Sequence, residues 1–561
     1  MKDVFEYLVD GVSGLAPGGV EGAAIVVGVC SLGETGKGYL LGKSSNLEAL
    51  LGVGPLVDRL RDIFATAGQG AVVIAVPVGG LAGGYITTVE LAGDGPVGAA
   101  SGVPVDNATV KVMIVAGGAP GVATAKVSLN NGAVYGAPAA VPENGQIAIG
   151  ATGVTLVLAA GDLVADDVYS FLVRSPIGPV TKVGAGPDIA AAGTVKAAAE
   201  VILLITGAGL RNVGTYQLSL DGGDSWSGIK TIPVDGAIAV GSTGVTITWP
   251  EAGAAVAGDS YSFLLLAPAP TVTAVIDALE TPLSLYDVEF VHVVGPADSS
   301  DWAALGVQAD LLWNAHRPTF FLAETRLPYD NETIDDWSAV LAEERQDFAH
   351  RFVSVCCAFG EISESTGRRI TRNAAGLAAG RLLAIPVMRA LGRVRDGNVA
   401  PLALPVEYTE AHQDVLQAAG YLTARRYAGL SGVYWGDERT MADPTSDYQY
   451  LTVLRVVFKA VRKARIAALK SMYDEAGDPA LGISAGGLAY LKVGIETALN
   501  TMVKAAPSEL AAHQVTIPSG QDIVNNGVAV EMVLIGIPII RSIKLFASYV
   551  CAGGAFDPRL G

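Results

Sequence analysis

One stretch of this chain is written twice, and that constrains its architecture more than any other feature. Ser128-Leu129-Asn130-Asn131-Gly132 returns 91 positions later as Ser219-Leu220-Asp221-Gly222-Gly223. Gly145-Gln146-Ile147-Ala148-Ile149-Gly150 returns at the same offset as Gly236-Ala237-Ile238-Ala239-Val240-Gly241. Asp167-Val168-Tyr169-Ser170-Phe171-Leu172 matches Asp259-Ser260-Tyr261-Ser262-Phe263-Leu264 at an offset of 92, which needs one inserted residue. Chance does not hold register that long. Each copy alternates apolar and polar residues between Asn-Gly or Gly-Gly turns, the signature of short strands in hairpins. Two small all-β modules therefore fill about 105–175 and 195–267, joined by a Gly/Pro/Ala segment.

The texture changes on either side. Residues 22–78 read as strand (Ala23 to Val29), helix (Leu47 to Ala65) and strand (Ala71 to Val76). After the modules the alternation resumes, with strands at Val288 to Val294, Thr319 to Ala323 and Phe352 to Ala358, and helices at Ser300 to Ala315 and Ile334 to Arg345. Such alternation specifies an α/β sheet covered by helices. From about 431 two helices, Asp447 to Tyr473 and Ser484 to Ala505, precede strand candidates at His513 to Ile517, Val528 to Ile537 and Ile543 to Val550. The expected fold class is thus multi-domain α/β: a discontinuous α/β domain with an inserted pair of repeated all-β modules, then an α+β C-terminal domain. The expected segments are an extended arm (1–20), the first α/β segment (21–100), the modules (101–180 and 181–270), the second α/β segment (271–430), the C-terminal domain (431–540) and a terminal strand or arm (541–561).

Half of the residues are hydrophobic and 16% are charged, which is too apolar for disorder. The best apolar runs, Ala23 to Leu32, Val201 to Leu210 and Val528 to Ile540, fall short of a membrane span, and the last is broken by Glu531 and Pro538. The opening Met1-Lys2-Asp3-Val4-Phe5-Glu6 is no signal peptide, so folding in a cytoplasm is expected. A net charge of −18 disfavours nucleic acid as a partner. So apolar a chain, without a membrane to enter, is expected to hide surface against other subunits.

No enzyme is visible. Gly42-Lys43-Ser44 lacks the upstream glycine of a phosphate loop, because position 37 is Lys. Gly482-Ile483-Ser484-Ala485-Gly486 fits a nucleophile elbow in spelling, but a turn precedes it where a strand is required, and Ser484 reads better as a helix cap. The five His are scattered, and Cys30, Cys356, Cys357 and Cys551 have neither zinc spacing nor a disulfide framework. Neither a cofactor nor a metal is expected.

One helix runs against the overall charge. At about 100° per residue, Arg455, Lys459, Arg462, Lys463 and Lys470 fall within an arc of about 100°, beside an apolar face of Leu451, Leu454, Val457, Phe458 and Val461. A cationic stripe of this kind is either a solvated face or a docking surface for an acidic partner.

The order of parts resembles the tail sheath proteins of contractile-tailed bacteriophages and related contractile injection systems, most strongly from about 285 onward. Gly432-Val433-Tyr434-Trp435-Gly436-Asp437-Glu438-Arg439-Thr440 resembles that family's W-G-x-R-T segment ahead of a long helix, with one extra acidic residue before Arg439. Trp435, Gly436, Arg439 and Thr440 are the matching positions. The opening strand, the start of a helix at Ser44 to Gly52 and Ala67-Gly68-Gln69-Gly70 also fit.

The resemblance implies a structural subunit that stacks in six-fold rings as a helix around a tail tube. Its partners would be further copies of itself, the tube protein, and baseplate and tail terminator proteins. It would belong to the virion tail and be assembled in the bacterial host cytoplasm. Terminal arms would add strands to neighbouring subunits, with Phe5, Tyr7 and Val9 on one face of the first arm and Ile543, Leu545 and Tyr549 on the last. Gly11, Gly14, Gly18 and Gly19 would be hinges when the sheath contracts and drives the tube through the envelope. The C-terminal domain would face the tube, which makes Arg455, Lys459, Arg462 and Lys463 the expected tube-docking residues, with the β modules on the outer surface. Two other readings stand beside this one: another baseplate part or a surface adhesin whose β modules bind glycans, and an enzyme built on the α/β domain.

Overall fold

Strands that are apolar at nearly every position must be covered on both faces. Ala23–Val29 (β1) is buried at six of its seven positions. A computed structural model, which describes residues 20–476, 486–549 and 552, pairs it in parallel with Val72–Val78 (β3), and Tyr39–Leu41 (β2) lies antiparallel on the far side of β3. The single helix expected from Leu47 to Ala65 is two, Leu47–Leu51 (α1) and Pro55–Thr66 (α2). Gly54 separates them at φ +134°, and a Cβ there would stand 2.9 Å from the Val29 carbonyl oxygen.

The chain then leaves this sheet and builds the two repeats. The first comprises Tyr85–Ile86 (β4), Glu90–Ala92 (β5), Gly98–Gly102 (β6), Ala108–Ala116 (β7), Thr124–Ser128 (β8), Ala139–Ala140 (β9), Gln146–Ala148 (β10), Val154–Leu158 (β11) and Val168–Arg174 (β12). The second follows as Thr181–Val183 (β13), Ala190–Gly193 (β14), Ala199–Gly207 (β15), Thr215–Ser219 (β16), Lys230–Thr231 (β17), Ala237–Ala239 (β18), Val245–Thr248 (β19) and Ser260–Leu265 (β20). Each repeat is a larger sheet facing a three-stranded one around its own apolar core.

The same bonds recur in both. Tyr169 Oη donates to Pro96 O (2.7 Å) and Tyr261 Oη to Pro187 O (2.8 Å). The Gly95 and Gly186 amides donate to Asp167 and Asp259 (2.9 and 2.5 Å). Each repeat therefore begins earlier than its sequence pattern suggests. β4, β5 and the start of β6 lie in residues expected to belong to the first α/β segment, and the Gly/Pro/Ala join contains β13 and β14. These strands lack large side chains because there is no room for them: a Cβ on Gly102 or Gly193 would lie 2.2 or 2.3 Å from the carbonyl oxygen of Gly153 or Gly244.

After Val272–Leu285 (α3) the chain re-enters the first sheet. Phe290–Pro296 (β21) pairs in parallel with β1, and Phe320–Glu324 (β22) and Val353–Cys356 (β23) extend the order to β2-β3-β1-β21-β22-β23. Ser299–Asn314 (α4) and Ile334–Glu344 (α5) connect these strands. A small sheet of Phe359–Ser363 (β24), Arg369–Asn373 (β25) and Leu402–Ala403 (β26) follows, with Ala375–Ala384 (α6), Glu410–Ala418 (α7), and the pair Ala424–Arg425 (β27) and Tyr434–Trp435 (β28).

Leu451–Leu469 (α8) closes the first compact unit, which ends at Arg462 rather than at the expected 430. Trp435, Met441, Leu451, Leu454 and Phe458 belong to the same apolar core as the sheet, which is why this stretch is not part of a separate domain. The second unit, from Lys463, holds Gly486–Val503 (α9), Ala512–Thr516 (β29), Ile523–Asn526 (α10) and Glu531–Ile535 (β30).

Candidate assembly surface

The segment entering α8 is a clasp. Trp435 is buried in the core, and a Cβ on Gly436 would stand 2.5 Å from Thr423 Oγ1. The additional acid, Glu438, is also buried and accepts from Thr452 Oγ1 (2.7 Å), which ties the loop to the first turn of the helix. Arg439 lies over the Tyr450 ring at 5.0 Å, while its carbonyl accepts from Ser354 Oγ (2.7 Å). Thr440 Oγ1 donates to Tyr448 O (2.6 Å). These four positions fix the start of α8 to β23 and present no open site.

The cationic stripe of α8 is corrected in part. Arg455 is 1% exposed and forms a bidentate ion pair with Glu289, which is 0% exposed, donating through Nε (2.5 Å) and a terminal nitrogen (3.1 Å). It also donates to the Leu382 and Ile385 carbonyls at the end of α6 (2.9 and 3.3 Å). Burial pushes the Glu289 carboxyl up, against the opposing pull of Arg455. Arg462 is also turned inward, donating to Val288 O (3.2 Å) and to Pro318 O, with Glu21 at 3.8 Å. Burial lowers its guanidinium, and Glu21, Glu289 and Asp287 oppose that. Arg455 is closed off from any tube, and Arg462 presents only 13% of its side chain to solvent. A charge in mid-core needs a partner, and the partner lies 166 positions away, beyond the reach of a helical wheel. Its signal was present: Glu289 is an acid set between Val288 and the apolar residues that open β21. Lys459 and Lys463 are half-buried, and Arg465 and Lys470 are exposed.

A second buried cluster, which sequence reasoning missed, joins Arg59 on α2 to Glu324 on β22 (2.7 and 2.8 Å) and His292 on β21 to the same carboxylate (3.0 Å). Burial alone would raise the Glu324 carboxyl, but Arg59 and then His292 outweigh it and hold it at about 2. His292 is 0% exposed, and the cluster ties α2 to β21 and β22. Residues 42–45 form a polar turn in which the Gly42 amide donates to Ser45 Oγ (3.1 Å). Ser484 lies outside the described residues. Among the described residues no group of three or more His, Cys, Asp or Glu could hold a metal ion. No helix of the described residues is long and apolar enough to cross a membrane.

The feature open to another molecule lies at the C-terminal end. In the second unit β29 and β30 pair antiparallel, from Ala512 opposite Ile535 to Thr516 opposite Glu531, and no third strand joins them among the described residues. Beyond β30 the chain forms no strand where one was expected from Ile543. Its apolar side chains stand in solvent: Ile543 is 74% exposed, Leu545 90% and Phe546 93%. Phe5, Tyr7, Val9, Gly11, Gly14, Gly18 and Gly19 lie outside the described residues.

Comparison with known proteins adds a family and a set of relatives. Family models described as the DUF2586 N-terminal and C-terminal domains match residues 1–439 and 447–554. A protein of Haemophilus phage HP1 named "Putative tail sheath protein" is 31% identical over 181 residues, which cover 30% of this chain and 45% of that protein. The chain thus spans less than half the length of this relative. Among solved structures, the sheath tail protein of Desulfitobacterium hafniense aligns over 95% of this chain and 100% of its own at 11% identity and a TM-score of 0.43. That of Listeria innocua aligns over 92% and 96% at 9% identity and 0.42. The contracted sheath of an extracellular contractile injection system aligns over 50% and 75% at 17% identity and 0.38.

Proposed function

The chain belongs to the DUF2586 family, and from its likeness to a phage tail sheath protein and its uncovered tail we infer that it is a structural subunit of a contractile tail sheath. The observation that carries this reading is a two-stranded sheet followed by a segment whose Ile543, Leu545 and Phe546 stand exposed. A sheet edge exposes amide and carbonyl groups that another strand can satisfy, and an extended segment from a neighbouring copy supplies both those bonds and apolar side chains. Ile543, Leu545 and Tyr549 are the donor residues on this tail, and Phe5, Tyr7 and Val9 are those of the N-terminal arm, with Gly11, Gly14, Gly18 and Gly19 as its hinges. Each copy then gives strands to a copy other than the one it receives from, a head-to-tail contact that grows a filament instead of closing.

Such arms keep copies connected while bodies rotate and slide from the extended to the contracted sheath, driving an enclosed tube forward. The tube contact falls to the outward part of α8, where Lys463, Arg465 and Lys470 follow the inward-turned Arg462. Baseplate and terminator proteins would bound the sheath at its two ends. Negative-stain microscopy of the purified chain tests the reading. Long hollow tubes are expected from the whole chain, and none from chains lacking residues 1–15 or ending at Ile537. Discrete particles from the whole chain would overturn it.

A further inference from the structure

The duplicated modules have the same fold but opposite charge on the same face. In the first module Lys111, Met113 and Val168 share one face of the larger sheet, and Lys126, opposite Met113, points the same way. The Lys126 ammonium lies 4.8 Å over the ring of Tyr135. Among the described residues no ion pair of Lys111 or Lys126 is seen, and Glu90 lies at the edge of the face on the same row as Lys111.

At the equivalent positions 91 residues on, Lys111 becomes Ile202, Lys126 becomes Gln217, Thr109 becomes Glu200, Asn130 becomes Asp221 and Tyr135 becomes Trp226. These changes in charge run in one direction and Asp224, where the first module has Ala133, adds to it, while at the edge Glu90 gives way to Thr181. Both faces keep an aromatic ring and apolar side chains, with Trp226 40% exposed and Leu264 43%. Burial and then the neighbouring Glu361, Asp224 and Asp221 push the Glu200 carboxyl up. Arg369 forms exposed ion pairs with Asp224 and Glu361 (3.8 and 3.9 Å), so the acids of this face outnumber its cations without being free of them. Beside Glu200 opens a cavity of about 390 Å³, lined also by Gly222, Ser262 and Leu264 and by Arg174, which is paired with Asp330 (2.9 Å).

We propose that the lysine face of the first module (Lys111, Lys126, Tyr135) docks on the acidic face of the second module (Glu200, Asp224, Trp226) in a neighbouring copy of this chain. Opposed charge sets the register and suppresses wrong partners, and two different complementary faces on one chain give an open-ended contact. The modules are then a second link between copies, separate from the arms. This rests on the sheath reading only in that it requires copies to assemble.

The test uses the full chain, mixed as equal parts of isotope-labelled and unlabelled protein and treated with a zero-length carbodiimide reagent. Peptides joining Lys111 or Lys126 to Glu200 or Asp224 are expected in mixed-isotope form, and their absence overturns the proposal. In parallel, K111E/K126E is expected to raise the lowest polymerising concentration about tenfold near physiological salt, less at high salt. Adding E200K/D224K to the same chain is expected to restore it. Polymerisation indifferent to the first change, or worsened by the second, overturns the module contact and leaves the sheath reading standing. A wild-type chain that stays monomeric overturns both.

Discussion

Replacing Ile543 and Leu545 by Ser separates assembly from folding more sharply than any other change to this chain. Both side chains are on the same face of the tail and stand 74% and 90% exposed. Burying such a side chain fully is worth about 1.5–3 kcal/mol, so the pair would contribute about 2.5–5 kcal/mol when covered by a neighbouring copy. The lowest polymerising concentration of I543S/L545S should therefore rise by roughly two to three orders of magnitude at about 1.4 kcal/mol per decade. In the monomer the same two residues touch little, and surface changes of that kind usually fall within about 0.5 kcal/mol. Sedimentation across a concentration series measures the first quantity, and thermal unfolding of dilute monomer the second. F546S, on the other face of the tail, is the internal comparison and should matter less. A double variant that polymerises like the parent, or whose monomer melts well below it, would refute the reasoning, since the tail would then be either unused or folded on its own body.

Further expectations follow from the buried charges and the repeats. Arg455→Met should cost about 3–5 kcal/mol by stranding the Glu289 carboxylate in the core, while R455M/E289L should recover most of that; urea unfolding followed by tryptophan fluorescence distinguishes the two. Glu324 has a folded pKa of about 2 against its ordinary 4.5, so its stabilising contribution is complete above about pH 4.5 and is lost as pH falls toward 2. The stability gap between the parent and E324Q should accordingly narrow from pH 5 to pH 3. Gly102→Ala and Gly193→Ala, at φ +132° and +140°, should each destabilise their module by at least about 1–3 kcal/mol and by similar amounts, as read by hydrogen exchange in β6 and β14.

Much of this architecture is written in local patterns. The apolar runs at Ala23 to Val29 and Val72 to Val76 read as strands because they are short and rich in β-branched residues. The 91-residue echo makes two modules because equal side-chain patterns fold alike, down to the tyrosines that close each one. The apolar character of the tail around Leu545 is legible too, since it is read directly from Ile543, Leu545 and Phe546. The weak strands Gly98–Gly102 and Ala190–Gly193 were not legible, because only the close approach of another backbone explains their lack of side chains.

From sequence alone, then, follow the kinds of element, their order, the duplication and the apolar character of the last segment, because each depends on residues near one another in the chain. Tertiary structure decided where charge could reside. Arg455 has the spacing of a surface residue and becomes a core residue only because Glu289 arrives from a distant strand to neutralise it. Periodicity reports which residues share a face. What that face meets is set by the elements folded against it, and for α8 those are β21 and the end of α6.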